Sequence, residues 1–275
     1  GQMSTASGVR ERRKYLIPEV IQTSGMDCGP ATLSALLHGW GIPVSYGRLR
    51  EACQTDVDGT SIDTLEDLAK QLGLDAAQVM LPVDYFFDSV QQLSAIVLVR
   101  TPSGIPHFVV YWRQHGGLVQ VMDPVTGRQL RSAAHFSEDL LVHTQVVPAG
   151  ALLTWLQSDS FQGPLSVRLR QLGLDAQTTA RLLDEARADG GWRRWAALDA
   201  AARMVVELQQ AGAVARGREA ARLLLELQGL DDATAAIPET YWAIVAAPPD
   251  LAPAAEGELL LLRGQAFSAF DAGKG

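Results

Sequence analysis

Residues 22–30 read Gln-Thr-Ser-Gly-Met-Asp-Cys-Gly-Pro, and the mostly apolar stretch Ala31–His38 follows directly. Proline near the start of a helix and glycine beyond its end are typical boundary signals, and Gly39 and Gly41 follow this stretch. The pattern therefore predicts a helix over Ala31–His38 that is entered through the segment ending in Pro30. Cys28 then lies at the helix start, where unpaired N–H groups and the helix dipole favour a thiolate.

The sequence on the carboxyl side of this helix predicts an α+β layout. Two further short helices are expected at Tyr46–Cys53 and Ser61–Leu72. Short β runs separated by Gly/Pro-rich turns then indicate antiparallel hairpins, at Ala95–Arg100, His107–Arg113, Leu118–Met122 and Val142–Val147. Helices first and a sheet afterwards are typical of a fold in which helices pack on an antiparallel sheet.

From about residue 149 the composition shifts towards Ala, Leu, Arg and Glu. Amphipathic patterns there predict the helices Ala176–Arg187, Trp192–Gln210 and Gly217–Leu227. Two β-like runs, Tyr241–Ala246 and Glu258–Arg263, close the chain. The domain prediction is a flexible lead-in over 1–14, an α+β domain over 15–148, and a mainly helical extension over 149–275 that ends in a β-hairpin.

Composition and charge exclude several classes of function. The hydrophobic fraction of 47% and the charged fraction of 20% are typical of a globular protein. A net charge of −8 argues against a nucleic-acid partner, because phosphate recognition needs a basic face. No apolar run is long enough to span a bilayer, so no direct membrane insertion is expected. The two cysteines form no CxxC pair and no metal-ligand spacing. We therefore expect no metal, no organic cofactor and a cytoplasmic location.

The residues with the clearest chemistry are a cysteine, a histidine and an aspartate. A thiolate nucleophile needs a proton shuttle, and His107 opens a predicted strand directly after a Gly/Pro turn. Asp123 closes the next strand, so a hairpin would place it near His107 as the orienting carboxylate. Gln22 precedes Cys28 by six residues, and its side-chain amide is a donor suited to an oxyanion, together with the N–H of Cys28.

These residues and their neighbours resemble the double-glycine leader peptidases, the papain-like domains at the N-termini of peptidase-containing bacterial ABC exporters. The resemblance covers roughly residues 15–148, and the matching elements are Gln22, Asp27-Cys28-Gly29-Pro30, Asp58-Gly59-Thr60-Ser61, His107-Phe108-Val109-Val110 and Asp123-Pro124 with Gly127. It implies a cysteine peptidase with Cys28 as nucleophile, His107 as base, Asp123 as its partner and Gln22 as oxyanion donor. It also implies cleavage of a bacteriocin-like precursor after Gly-Gly or Gly-Ala at the cytoplasmic face of the inner membrane, in partnership with the membrane and ATP-binding parts of an exporter.

The chain departs from that family after residue 150, because neither membrane-spanning segments nor a GxxxxGK[ST] motif follow. Two interpretations stay open: a fragment of a longer exporter chain, or a free-standing relative with a helical extension. Two other functions also stay open, namely a non-catalytic module that docks cargo and a papain-like acyl-transfer enzyme. The substrate-binding residues, the role of 149–275 and the oligomeric state are not assigned.

Asp27 and Cys53 are interpreted as structural residues. Asp27 directly precedes the predicted helix start, and a capping carboxylate is favoured over a role in the site. Cys53 follows a short amphipathic helix and is interpreted as a small core residue.

Overall fold

The computed structural model describes residues 13–53, 60–251 and 257–273. The chain divides into two compact units, Gly1–Val142 together with Gln265–Gly275, and His143–Gly264. We refer to them as unit 1 and unit 2.

Unit 1 places helices on an antiparallel sheet, which confirms the predicted α+β class. Its helices are α1 (Cys28–Gly39), α2 (Tyr46–Cys53), α3 (Ile62–Gln71), α4 (Phe86–Ser89) and α5 (Ala133–Asp139), with a 3₁₀ turn at Val83–Tyr85. Its strands are β1 (Leu74–Leu81), β2 (Ser94–Arg100), β3 (Pro106–His115), β4 (Leu118–Asp123) and β5 (Gly127–Ser132), together with the second part of the last strand, β8 (Leu259–Ala272).

The strand order of the unit 1 sheet is β1-β8-β2-β3-β4-β5. β8 lies between β1 and β2, with Leu74 opposite Ala272 and Ala95 opposite Ala269. The most C-terminal described strand is thus an interior strand of the sheet that carries β3 and β4. Phe267 and Phe270 of β8 are fully buried, so this strand contributes directly to the core of unit 1.

The core of unit 1 places α1 and α3 against the sheet. Leu36 of α1, Leu65 of α3, Val110 of β3 and Phe270 of β8 belong to one buried cluster. The helix start at α3 follows the usual rule, because Ser61 in extended conformation accepts a hydrogen bond from the N–H of Thr64 at 3.2 Å.

Unit 2 is mainly helical, as predicted. Its helices are α6 (Ala149–Leu156), α7 (Asp159–Gln171), α8 (Ala176–Asp189), α9 (Arg193–Gln210) and α10 (Arg218–Gln228), with 3₁₀ turns at Glu239–Tyr241 and Pro249–Leu251. The buried side chains of Trp195 and Leu198 lie on α9. Two short strands, β6 (His143–Pro148) and β7 (Ile244–Ala246), both pair antiparallel with the first part of β8.

The predicted domain limits need correction at three points. The strand expected at Val142–Val147 belongs to unit 2 instead of the first domain. The predicted terminal hairpin is part of a three-stranded arrangement, and its second strand continues to Ala272 inside the sheet of unit 1. Arg13 and Lys14, assigned to the flexible lead-in, are fixed by hydrogen bonds; residues 1–12 lie outside the described residues.

Candidate active site

Cys28 is the first residue of α1, three positions earlier than the predicted helix start, and its side chain is half-buried. The next position, Gly29, has no room for a side chain, because a Cβ there would lie 2.8 Å from Cβ of Thr60. Pro30 needs no hydrogen-bond acceptor in the first turn of a helix. The residues around Cys28 are therefore those that a tightly packed helix start requires.

The turn that carries Cys28 is tied to strand β3. The hydroxyl of Thr32 donates to the carbonyl oxygen of Cys28, one turn earlier, and it lies 3.4 Å from the carbonyl oxygen of Phe108. Phe108 is the neighbour of His107. One buried hydroxyl thus links the turn of the candidate nucleophile to the strand of the candidate base.

His107 and Asp123 meet as predicted. Nε2 of His107 lies 3.2 Å from Oδ2 of Asp123, and the other oxygen of Asp123 accepts from the N–H of Val125 at 2.8 Å. Both side chains are mostly buried. With Nε2 directed at the carboxylate, Nδ1 is the ring nitrogen that remains for another partner.

A β-bulge explains why these two residues share one face. Near the hairpin turn His115 pairs with Leu118, but beyond the bulge Val110 pairs with Met122, a register shifted by one residue. The extra residue is Trp112, which has no partner on β4. Continuing the shifted register places Asp123 opposite Val109, on the same face as His107. Without the bulge Asp123 would lie opposite Val110 and point to the other face.

Contacts from two segments, Arg13–Lys14 and the end of α1, hold the bulged residue. The Trp112 carbonyl accepts a hydrogen bond from Arg13, whose guanidinium carbon lies 4.6 Å from the centre of the indole ring. The indole N–H donates to the Lys14 carbonyl at 3.0 Å. Trp40 stacks edge-on at 6.1 Å, and Gly39 leaves room for the ring, since a Cβ at this position would lie 2.6 Å from Cη2. Burial lowers the pKa of Arg13 to about 10.

Gln22 lies beside the turn that follows Asp123. Its backbone N–H donates to the carbonyl oxygen of Pro124 at 2.8 Å. Its side chain is partly buried, and Oε1 has no hydrogen-bond partner among the described residues. The backbone of Gln22 is thus bonded to the turn after Asp123, which contacts His107, and the Thr32 hydroxyl joins the turn of Cys28 to the strand of His107.

The capping interpretation of Asp27 is wrong. Asp27 occupies the N-cap position of α1, but its side chain makes no hydrogen bond to the helix. The fully buried carboxylate instead accepts from the hydroxyl of Thr23 at 2.8 Å and lies 3.1 Å from Nε of Arg50 on α2. Thr23 and Arg50 were not identified in the sequence, because no local pattern links positions 27 and 50.

Two other sequence predictions concern Cys53 and the motif at 58–61. Cys53 is buried in the core cluster of unit 1, as predicted, and burial raises the pKa of its thiol to about 11. In the motif at 58–61, Asp58 and Gly59 lie outside the described residues. Thr60 packs against Gly29, and Ser61 caps α3.

Electrostatics favour an ionised Asp123. Burial opposes its ionisation, but the hydrogen bond from His107 and those from the backbone of Val125 and Thr126 outweigh burial and hold its pKa below the ordinary value. The carboxylate is therefore charged at neutral pH and can stabilise an imidazolium at His107. Among the described residues, no three His, Cys, Asp or Glu side chains are grouped to hold a metal ion.

The chain is similar to a protein family and to several known proteins. The model of the peptidase C39 family matches residues 17–140. The lactococcin-G-processing and transport ATP-binding protein LagD of Lactococcus lactis is 27% identical over 120 residues, which are 44% of this chain and 17% of that protein. An uncharacterized protein of Methanothermobacter marburgensis is 30% identical over 122 residues, 44% of this chain and 82% of that protein.

A solved structure of a double glycine motif protease from an AMS/PCAT transporter, in complex with the leader peptide, is 21% identical, with a TM-score of 0.40. The alignment covers 47% of this chain and 89% of that one. In the part of the chain that is described, no helix combines the length and the apolar character that a membrane crossing needs. Through residues 17–140 the chain belongs to the peptidase C39 family, a family of cysteine peptidases.

Proposed function

We propose that this protein is a cysteine endopeptidase that removes the leader from a ribosomally made, bacteriocin-like precursor after a Gly-Gly or Gly-Ala site. The observation that carries the proposal is the 3.2 Å contact between His107 and Asp123, on a strand that Thr32 ties to the helix start of Cys28. A cysteine at a helix start and a histidine oriented by a carboxylate are the parts that thiol-dependent acyl transfer needs.

In the proposed mechanism the Cys28 thiolate attacks the carbonyl carbon of the residue before the scissile bond. The Cys28 proton resides on His107, and the Asp123 carboxylate stabilises the resulting imidazolium. The tetrahedral oxyanion accepts hydrogen bonds from the Gln22 side-chain amide and the Cys28 N–H. His107 then donates its proton to the leaving amine, and the carbon–nitrogen bond breaks. A water, deprotonated by His107, hydrolyses the thioester and frees the leader with its new carboxylate.

The surface around these residues supports a peptide substrate. Four exposed apolar side chains lie within two positions of the four candidate residues: Ile21 (52% exposed), Met26 (40%), Ile105 (65%) and Val125 (55%). Exposed apolar side chains that form one continuous patch mark interaction surfaces in soluble proteins. We propose that this apolar rim contacts apolar side chains of the leader.

The proposed partners follow from the relatives. LagD is named for both processing and transport, and the chain spans 17% of its length. We propose that the peptidase works beside the membrane and ATP-binding parts of an exporter, at the cytoplasmic face of the membrane. Unit 2 is proposed as an adaptor for such a partner or for the cargo.

The proposal is tested with a precursor peptide encoded beside the gene, or with a synthetic leader that continues for several residues beyond its Gly-Gly. Mass spectrometry should detect a leader product that ends in Gly-Gly or Gly-Ala. Changing the Gly-Gly of the peptide to Val-Val should abolish the product, because bulky side chains need more room than a narrow groove provides. Binding without cleavage would favour a docking module, and a product joined to an added amine would favour an acyl-transfer enzyme.

A further inference from the structure

The side chain of Asp27, the N-cap residue of α1, does not cap the helix. Asp and Ser at N-cap positions normally adopt an extended conformation and accept from the N–H of the second or third helical residue. Asp27 has φ −99° and ψ 13°, and its side chain forms no such bond. The third helical residue is Pro30, which has no N–H, so Gly29 would be the usual partner. In contrast, Ser61 caps α3 in the ordinary way.

Without this cap, backbone N–H donors beside Cys28 have no acceptor from the N-cap side chain. The first N–H groups of a helix have no acceptor within the helix. Because Asp27 does not cap, the N–H groups of Cys28 and Gly29 have no side-chain acceptor from the N-cap residue. A capping carboxylate would occupy the Gly29 N–H and place a negative charge against the sulfur. Both effects would disfavour a thiolate at Cys28 and an oxyanion next to it.

We infer that Arg50 is a positioning residue, which with Thr23 holds the Asp27 carboxylate away from the first turn of α1 and neutralises its charge. The inference rests on the proposed function, in which Cys28 and its N–H act on the substrate. Arg50 reaches across from α2 to a carboxylate that is fully buried, while its own side chain is 47% exposed. Loss of Arg50 would leave a buried charge with fewer partners, and the Gly29 N–H is the donor that an N-cap side chain would ordinarily use here.

Charged side chains on the elements packed around α1 form three pairs. Asp27 precedes α1, and α2 carries Arg50 and the buried thiol of Cys53. The sheet carries His107 and Asp123, which pair with each other. On α3 the charges of Glu66 and Lys70 are paired at 2.7 Å.

The Asp27 carboxylate is ionised at neutral pH. Burial alone would raise its pKa, but hydrogen bonds from Thr23 and Ser24 and the charge of Arg50 bring the pKa below the ordinary value. A charged Asp27 therefore needs a neutralising partner, which Arg50 supplies.

The test measures the pH dependence of Cys28 alkylation by iodoacetamide, without substrate, in Arg50→Gln, Arg50→Lys, Asp27→Asn and the double variant Arg50→Gln/Asp27→Asn. Arg50→Gln should move the alkylation midpoint up by on the order of half to one pH unit, because the Asp27 charge is no longer neutralised. Arg50→Lys keeps the positive charge, so its alkylation midpoint should stay close to that of wild type. The double variant should return to the wild-type midpoint, because the carboxylate through which Arg50 acts is then uncharged.

Cleavage of a Gly-Gly precursor gives the second readout, and kcat should fall more than KM rises in Arg50→Gln. Arg48→Gln removes the same charge from the exposed side of α2 and should change neither measurement. An unchanged midpoint in folded Arg50→Gln would overturn the inference, as would a double variant that stays as shifted as the single one. If Arg50→Gln does not fold, Arg50→Lys and Asp27→Asn decide by the same midpoints. The alkylation assay remains decisive even if the wild type cuts no peptide, an outcome that would reject the proposed function alone.

Discussion

Oδ2 of Asp123 lies 3.2 Å from Nε2 of His107, and the two side chains meet because one extra residue in β3 shifts the register between them. The contact is therefore a property of the whole hairpin. It depends on Trp112 being bulged out and on the groups that hold it there, above all Arg13 and Gly39. The alignment of His107 with Asp123 therefore depends on the position of this bulge.

Asp123→Asn should lower kcat of precursor cleavage by about 10-fold or more, because a neutral amide no longer stabilises the imidazolium form of His107. KM should change little, since the role proposed for Asp123 is to orient the base and not to bind the peptide. Steady-state kinetics on a Gly-Gly precursor check this. Asp139→Asn is the matched control, because that carboxylate pairs with Arg131 elsewhere in unit 1. Equal rates for wild type and Asp123→Asn would remove Asp123 from the mechanism.

Gly39→Ala should destabilise the protein by about 1–3 kcal/mol, because the new Cβ would lie 2.6 Å from the Trp112 ring. The same substitution at Gly47, an exposed helical position with 3.8 Å to its nearest neighbour, should stabilise by about 0.5–1 kcal/mol. Urea denaturation of both variants gives the two values. In Gly39→Ala the cleavage rate should also fall, since the bulge that aligns His107 and Asp123 is displaced. Equal stability of the two variants would contradict the packing account of the bulge.

Alkylation under native conditions should modify Cys28 and spare Cys53. The Cys28 side chain is partly exposed, whereas Cys53 is buried and its pKa is raised to about 11 by burial. Iodoacetamide at neutral pH should therefore add one group, which peptide mapping should place on Cys28. A second group should appear only after denaturation. Labelling of both thiols at similar rates in the folded protein would contradict the described positions.

Stability should decline in acid partly through Asp27. Its pKa is lowered in the folded state, so the unfolded chain binds a proton more readily and stability increases with pH in this range. The contribution is complete above the ordinary Asp pKa of about 3.9 and is lost as the pH falls from there through the folded pKa. Denaturation at a series of pH values from neutral to about pH 3 should show a smaller acid loss in Asp27→Asn than in wild type. The same slope in both would mean that Asp27 is not linked to folding.

Phe270→Ala should cost about 3–5 kcal/mol, although the residue lies far along the chain from the peptidase motifs. The ring is fully buried in the core of unit 1, on a strand between β1 and β2. Leu251→Ala, an exposed side chain of unit 2, should stay within about 0.5 kcal/mol. Thermal or urea unfolding checks both. A small loss in Phe270→Ala would contradict the interior position of β8.

The parts of the site that could be predicted from sequence are those with local signals. The helix start at Cys28, the turn before His107 and the strand end at Asp123 each appear as a short pattern of glycine, proline and apolar residues. The pairing of His107 with Asp123 followed from a hairpin, but the bulge at Trp112 did not, since a tryptophan in an apolar strand looks the same in either register. Likewise, no periodicity links Asp27 to Arg50, because their contact depends on how α2 packs beside α1.

Long-range pairing explains the remaining differences in the fold. β1 was not predicted, because Leu74–Leu81 alternates only weakly and contains exposed alanine and glutamine. The last predicted strand covers only Glu258–Arg263. In the structure it continues to Ala272, because β1 and β2 supply hydrogen-bonding partners on both sides.

The most direct test of the central claim is a single-turnover cleavage assay with a Gly-Gly precursor, followed by mass spectrometry, in wild type, Cys28→Ala and Cys53→Ala. Wild type and Cys53→Ala should give a leader product ending in Gly-Gly, and Cys28→Ala should give none. Continued cleavage by folded Cys28→Ala would contradict the claim, because a mechanism that begins with the Cys28 thiolate cannot proceed without that sulfur.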